Sequence, residues 1–340
     1  PPDQPPSSAP ARTRQLLWAL RALAALLASS PEALEDSLGG GAQGPPALLA
    51  VLHAARGAAE KDEAVCLEVL ELLRQCAQAQ RVGGPPRPPS GQEGAEGLPC
   101  FLLRAEFVQW MMRLSQRRQL PSAVYCKAMS VLSLCAPALS GKPVLLRYLA
   151  HLAGQIAAYL QHARGHDEYH RQRFVATLRF LASLQHCPRC ADLLVGSAPV
   201  AHGLRPQQQG GLGLDLWLDL VDPEGRSPSS VQAAALQVLL AIATSSSPHA
   251  KSYFVSSSRA VPVFLKSLRS GSQHVATLAL NVLWALAYNH QRALPLLRRL
   301  QARETILAAA SARHSSGLEH SGPEGHYFEL MVRQLQVILE

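Results

Sequence analysis

The most compact group of chemistry-bearing residues is Cys187-Pro-Arg-Cys190, with His186 just before it. A Cys-x-x-Cys turn can hold zinc or cycle between dithiol and disulfide. His166 and His170 lie about one helix upstream and one turn apart, so His166, His170, Cys187 and Cys190 could supply the four ligands of a structural zinc. The competing account is a helix start. Pro188 suits the first helical position, where its missing N–H costs nothing, and the two thiols would then pack inside. No βαβ pattern surrounds the pair, which argues against a redox motif. The expectation is no metal, with those four residues as the zinc candidates.

Other catalytic signatures fail on spacing. His166-Asp-Glu-Tyr-His170 misplaces the Glu of a metalloprotease helix, and neither a Walker loop nor a nucleophile elbow occurs. Gly39-Gly40-Gly41 has no strand before it and reads as a joint between helices. Acidic residues are sparse and offer no pair suited to acid/base work. No catalytic residue, cofactor or small-molecule substrate is expected.

The elements that would carry these residues are helical. Hydrophobic residues make up 48% of the 340-residue chain but aromatics only 5%, with Leu and Ala dominant, which suits helix-on-helix packing and suits a sheet poorly. Helical periodicity, interrupted by Pro, Gly or Ser, is read near Arg12–Ala28, Pro31–Leu38, Pro46–Gly57, Lys61–Gln80, Cys100–Arg118, Pro121–Ala136, Lys142–Ala163, Asp167–His186 and Pro188–Val195, and again from Leu212 to Leu339. Residues 1–11 read as a disordered Pro-rich tail. Residues 12–340 read as one helical array with disordered insertions at about 82–99, 196–211 and 315–322. The chain opens at Pro1 without Met, as a piece of a longer protein would.

Internal repetition is the most informative feature. Leu236–Ala243 (LQVLLAIA) aligns with Leu280–Ala287 (LNVLWALA) at an offset of 44 residues, and Leu67–Leu73, Met129–Cys135 and Leu178–Leu184 are weaker copies. This is the spacing of armadillo/HEAT units, in which each patterned segment is the innermost helix of its unit. The fold expected is an all-α, right-handed α-solenoid of about six to eight armadillo/HEAT-like units, with Pro323–Leu339 as its cap. Units that cannot bury their faces alone stack into a long surface suited to proteins and peptides.

The net charge is +8 and the sequence pI about 9.4, but no run of four basic residues occurs. A nucleic-acid groove is therefore not indicated. A solvated basic face is expected, with an acidic partner surface as the functional alternative. Seven cysteines at irregular spacing read as reduced, buried thiols. The longest apolar stretch, Leu16 to Ala28, is broken by Arg21 and is too short to span a bilayer, so membrane insertion is not expected.

Trp284-Ala-Leu-Ala-Tyr-Asn289 is the most distinctive stretch. Nuclear-import receptors of the armadillo type repeat Trp and Asn four apart. Here Tyr288 occupies that position, and Trp18, Trp110 and Trp217 are followed there by Ala22, Leu114 and Val221. The ladder is absent, and Trp284 reads as a core residue. Tyr288, Asn289 and Arg292 stand where the apolar pattern stops and are the candidate partner-binding residues.

From roughly Val261 onward, about 80 residues resemble the rotatin-type armadillo proteins of centrioles and ciliary basal bodies. The resemblance runs over Ala260-Val261-Pro262-Val263-Phe264-Leu265 and over Leu280 to Ala293, and a basic helix and a last helix follow at Leu296–Ala312 and His326–Leu339. The chain is far shorter than a full rotatin, and its Gly/Pro-rich stretch at Val82–Pro99 and its Ala/Arg bias depart from that pattern. The resemblance implies a non-catalytic scaffold in centriole and basal-body assembly and ciliogenesis, located in the cytoplasm at the centrosome, with centriolar proteins as partners. Two other readings stay open: a regulatory repeat domain of another large protein, such as a fused-type kinase, and a zinc- or nucleic-acid-binding helical-repeat protein.

Overall fold

The structure, a computed structural model, describes residues 9–29, 47–82, 105–117, 119–139, 143–161, 167–185, 187–196, 213–225, 227–315 and 323–340. These residues form 16 α-helices and no strand, so the fold is all-α. The helix expected at Pro31–Leu38, residues 1–8 of the tail, and residues 83–99, 197–211 and 316–322 of the expected insertions lie outside the described residues. Four boundaries need correction. Residues 9–11 belong to the first helix, because Pro10 in its first turn removes an N–H that has no intrahelical partner. Val82 closes a helix, Gly196 ends one in the left-handed conformation, and Ser315 closes another.

The chain divides into two compact units, Pro1–Leu139 and Ser140–Glu340, where the sequence alone suggests one array. In the first, α1 (Ala9–Ser29) and α2 (Ala47–Ala59) pack on α3 (Glu63–Val82). Helix α5 (Ser122–Leu139) packs on α3 and receives α4 (Ala105–Ser115). Asp62 caps α3, its carboxylate accepting from the N–H groups of Ala64 and Val65 at 2.9 and 3.2 Å. The core centres on the Val65, Val69, Leu72 and Leu73 face of α3 with Leu20, Leu52, Tyr125 and Leu132. At its edge Glu71 accepts from Arg74 at 2.5 Å and pairs with Lys127 at 2.6 Å.

The second unit begins with α6 (Pro143–Gln161) packed on α7 (Glu168–Ala182). Nine helices follow in threes: α8 (Pro188–Val195), α9 (Leu214–Val221) and α10 (Ser229–Thr244); α11 (Pro248–Ser256), α12 (Ala260–Ser267) and α13 (Gln273–Asn289); α14 (Ala293–Arg299), α15 (Ala302–Ser315) and α16 (Pro323–Leu339). Corresponding members stack. Helix α8 packs on α11; α9 on α12 and α12 on α15; α7 on α10, α10 on α13 and α13 on α16. Side-chain hydrogen bonds between successive triplets mostly span 40 to 46 residues, as from Arg259 to Asp219, Lys266 to Glu224, Arg313 to Ser270 and Tyr327 to Asn281, and the one from Ser247 to Asp192 spans 55. A three-helix period thus sets both the backbone packing and its polar cross-links.

Local sequence explains the breaks. Ser247 and Ser272 cap α11 and α13, accepting from the N–H groups of Ala250 and Val275. Pro188 and Pro248 stand in the first turns of α8 and α11. Helices α10 and α13 are the most enclosed: eleven of the sixteen residues of α10 and ten of the seventeen of α13 are buried, more than one amphipathic face allows. Each has a neighbour on both sides, and this is why LQVLLAIA and LNVLWALA are apolar nearly all round.

Candidate functional site

Burial on three sides leaves α10 and α13 one open stripe each. On α10 it carries Ser230, Gln237, Leu240 and Thr244; on α13 it carries His274, Asn281, Trp284 and Tyr288. Steps of seven, three and four residues keep each set on one helical face. The two sets correspond one to one at the 44-residue offset of the apolar pattern. Neither helix contains an Asp, Glu, Lys or Arg, so the stripe is polar and aromatic but uncharged.

Two geometric features mark it. Tyr288, 69% exposed, lies flat on Trp284, with ring centroids 5.1 Å apart and planes 7° apart. Trp284 is only partly buried, which corrects its reading as a core residue: the pattern assigns it to an apolar helix, but at the open face. Next to it, the hydroxyl of Tyr327 on α16 donates to the Asn281 side-chain oxygen at 3.3 Å. The stripe therefore continues onto α16, where Tyr327, Leu330 and Val337 recur at steps of three and seven and are 43%, 51% and 72% exposed.

The three residues singled out from sequence gather at one end of this face. Tyr288 and Asn289 close α13, and Arg292 is the residue before α14; all three are exposed. Gln237, Thr244, Asn281 and Tyr327 were not identified from sequence. The 44-residue offset contains the signal for the first three, had the polar positions been aligned along with the apolar ones. Tyr327 carries no such signal, because it stands 46 residues after Asn281 and so off the 44-residue offset.

The stretch of sequence that forms α10 to α14 carries one sign of charge, and acidic residues from outside it pair with some of its cations. Residues 225–303 contain nine Lys and Arg and no Asp or Glu. The whole second unit holds 19 basic and 12 acidic residues, and the first 13 and 12, so the second carries +7 of the net +8. Arg259 pairs with Asp219 at 2.6 Å, Lys266 with Glu224 at 2.9 Å and Arg303 with Glu340 at 2.9 Å. Lys251, Arg292 and Arg299 make no ion pair among the described residues. The imidazole of His290, between Tyr288 and Arg292, is held below its usual pKa by burial first, then by the charges of Arg292 and Lys251. Both cations therefore lie close to the exposed end of α13.

The zinc candidates do not converge. His170 sits in the first turn of α7, bonded to the cap residue Asp167 at 2.7 Å. Cys187 follows the far end of that helix, whose 15 residues span about 22 Å. Zinc ligands must all lie within about 2.3 Å of one ion, so His170 and the cysteine pair cannot share it. His166 lies outside the described residues, and among those described no three His, Cys, Asp or Glu are placed to hold a metal. Cys187 and Cys190 are buried, with Pro188 opening α8 between them, and burial first, then the neighbouring Cys187, pushes the Cys190 thiol far up.

A cleft of about 220 Å³ in the first unit is lined by charges of both signs, Glu60, Lys61, Asp62 and Arg117 among them. It falls short of the usual size of a small-molecule site, about 300–1,000 Å³. Among the described residues no single helix is long and apolar enough to cross a membrane.

No protein-family model matches the chain, and neither does any curated protein. Among solved structures it is similar to an engineered protein crystallised by the Northeast Structural Genomics Consortium, at 17% identity and a TM-score of 0.48, over 84% of this chain and 97% of that one. A likeness of that size carries no property across.

Proposed function

We propose that the chain is a non-catalytic protein–protein interaction scaffold, built as an armadillo/HEAT-like α-solenoid, whose binding face is the open stripe of α10, α13 and α16. The observation that carries this reading is the recurrence of one open, uncharged stripe at the offset that repeats the core, with an amide at the same place in each copy (Gln237 and Asn281) and rings added on α13. Nothing in helix packing requires an amide to recur at Gln237 and Asn281, since a half-buried helix position accepts an apolar side chain equally well. A surface of parallel helices with spaced amides and rings suits an extended peptide or a helix laid across it. Tyr327, Leu330 and Val337 are exposed beside Arg333 and Gln334, a mixed apolar and polar face of the kind that interfaces use.

The resemblance to rotatin-type proteins adds a setting, with centriolar proteins as partners at the centrosome and ciliary basal body. Two substitutions, Tyr288→Ala at an exposed position and Asn281→Ala at a half-buried one, test the scaffold reading in the full-length tagged protein. The set of co-purifying proteins should shrink while helicity stays unchanged, and an unaltered set would sink the assignment of this face. Imaging the same protein beside a centriole marker in dividing and ciliated cells tests the setting. Discrete co-localisation supports it, and a diffuse signal removes it.

A further inference from the structure

The stripe is uncharged on α10 and α13, and two cations lie near its α13 end. Lys251 on α11 and Arg292 before α14 flank His290, and neither has an ion-pair partner among the described residues. On the helix packed against α11, the Asp192 carboxylate of α8 accepts from the Ser247 hydroxyl and makes no ion pair with Lys251. No acidic residue exists anywhere between Glu224 and Glu304 to neutralise them. Beside them lies the Trp284–Tyr288 stack, whose outer ring is open to solvent.

We propose that this face takes an acidic peptide segment of a partner protein, with its carboxylates or phosphates against Lys251 and Arg292 and an apolar side chain on the Tyr288 ring. The inference rests on the protein-binding reading above and names the chemistry of the partner. Charge complementarity selects the sign, because Lys251 and Arg292, which make no ion pair among the described residues, would repel a basic segment. The uncharged middle of the stripe selects a peptide over a nucleic acid. Gln237 and Asn281 offer amide donors and acceptors to a peptide backbone, whereas the few cations at one end fall well short of the roughly six to ten phosphate contacts of a typical nucleic-acid groove. Carboxylate and phosphate are alternative sources of the same negative charge.

A random-peptide display library panned on the intact chain decides the matter. Enriched sequences should combine Asp or Glu with an aromatic or aliphatic residue. Synthetic versions should bind the purified chain in fluorescence polarisation, weaken with salt, and lose roughly tenfold or more in affinity to Lys251→Glu/Arg292→Glu. Replacing Glu by phosphoserine should preserve or tighten binding if phosphate is the natural source, and weaken it if carboxylate is. Circular dichroism confirms that the variant is folded, and the same variant should gain affinity for a Lys-substituted peptide. The proposal is overturned if enriched peptides are neutral or basic, if none is enriched, if charge reversal changes nothing, or if a mixed-sequence RNA oligonucleotide binds as tightly as the selected peptides. The two readings fail separately. If co-purifying proteins still depend on Tyr288 while peptides show no acidic preference, only the acidic partner falls. If the co-purifying set ignores Tyr288, the binding face itself is wrong.

Discussion

Replacing Trp217 by Phe should destabilise the second unit far more than its conservative chemistry suggests. Trp217 is fully buried in α9, and its indole N–H donates to the Leu194 carbonyl at 2.8 Å. Leu194 stands in the last turn of α8, where carbonyls have no intrahelical partner. The indole is thus the device that satisfies a buried helix end across 23 residues of sequence. Phenylalanine leaves that carbonyl unsatisfied, at about 1–3 kcal/mol. The smaller ring also leaves a cavity, which adds about 1 kcal/mol at ~24 cal/mol per Å³. The expected loss is about 2–4 kcal/mol, or roughly 6–12 °C in the melting temperature of a unit of this size. Urea and thermal unfolding followed by far-UV circular dichroism measure it directly. The matched control is Trp18→Phe, at a side chain 75% exposed, which should change stability by less than about 0.5 kcal/mol. If Trp217→Phe costs no more than the control, the indole bond does not tie α9 to α8 and the packing described for the second unit is wrong.

Three further outcomes follow from polar groups at the edges of the two cores. Glu71 is held down to about 2 by hydrogen bonding from Arg74, opposed by burial and reinforced by Lys127. A carboxylate with a lowered folded-state pKa contributes stability above its unfolded value near 4.5 and loses it as pH falls toward 2. Glu71→Gln should therefore cost about 1–2 kcal/mol at pH 7, after allowance for partial exposure, and the gap to the parent should close across that window in urea titrations. The buried Arg313 guanidinium donates to the carbonyls of Leu268 and Ser270 at 3.2 and 2.6 Å and lies 5.4 Å from the Phe328 ring centre. Arg313→Met should cost about 2–4 kcal/mol in the same assay, and Arg313→Lys should recover only part of it, because one guanidinium nitrogen serves both carbonyls while the other donates to the Gln273 side-chain oxygen, a span one ammonium lacks. Burial pushes the thiols of Cys66 and Cys76 up to about 11 and 12 and that of Cys190 higher still. Iodoacetamide at pH 8 followed by mass spectrometry should leave these three unmodified in the native protein, with half-buried Cys126 reacting ahead of them, and should label all of them in denaturant.

The all-α class was readable because several helices announce their own boundaries. The Ser caps of α11 and α13, the Pro residues opening α8 and α11, and the glycine ending α8 are local signals that survive without tertiary context. The 44-residue offset was readable because α10 and α13 must be apolar nearly all round to sit between neighbours. The open face was only partly readable. Its residues lie inside the same helices, and Trp284 looks like core until the side it faces is known. The zinc grouping failed for a related reason: sequence places His170 and Cys187 within one helix of each other, while the length of α7 holds them apart. Arg313 offered no warning, since a lone arginine in a polar-looking helix reads as surface, and only the carbonyls leaving α12 make it a buried clasp.

The central claim is that the stripe shared by α10, α13 and α16 is where other proteins bind. Photo-crosslinking tests it most directly, with a benzophenone side chain placed at Thr244 on the stripe or at Leu307 on α15, an exposed position away from it. The account predicts discrete protein adducts in cells from position 244, lost when Tyr288→Ala is added, and none of the same adducts from position 307. Equal adducts from both positions, or adducts from 307 alone, would contradict it.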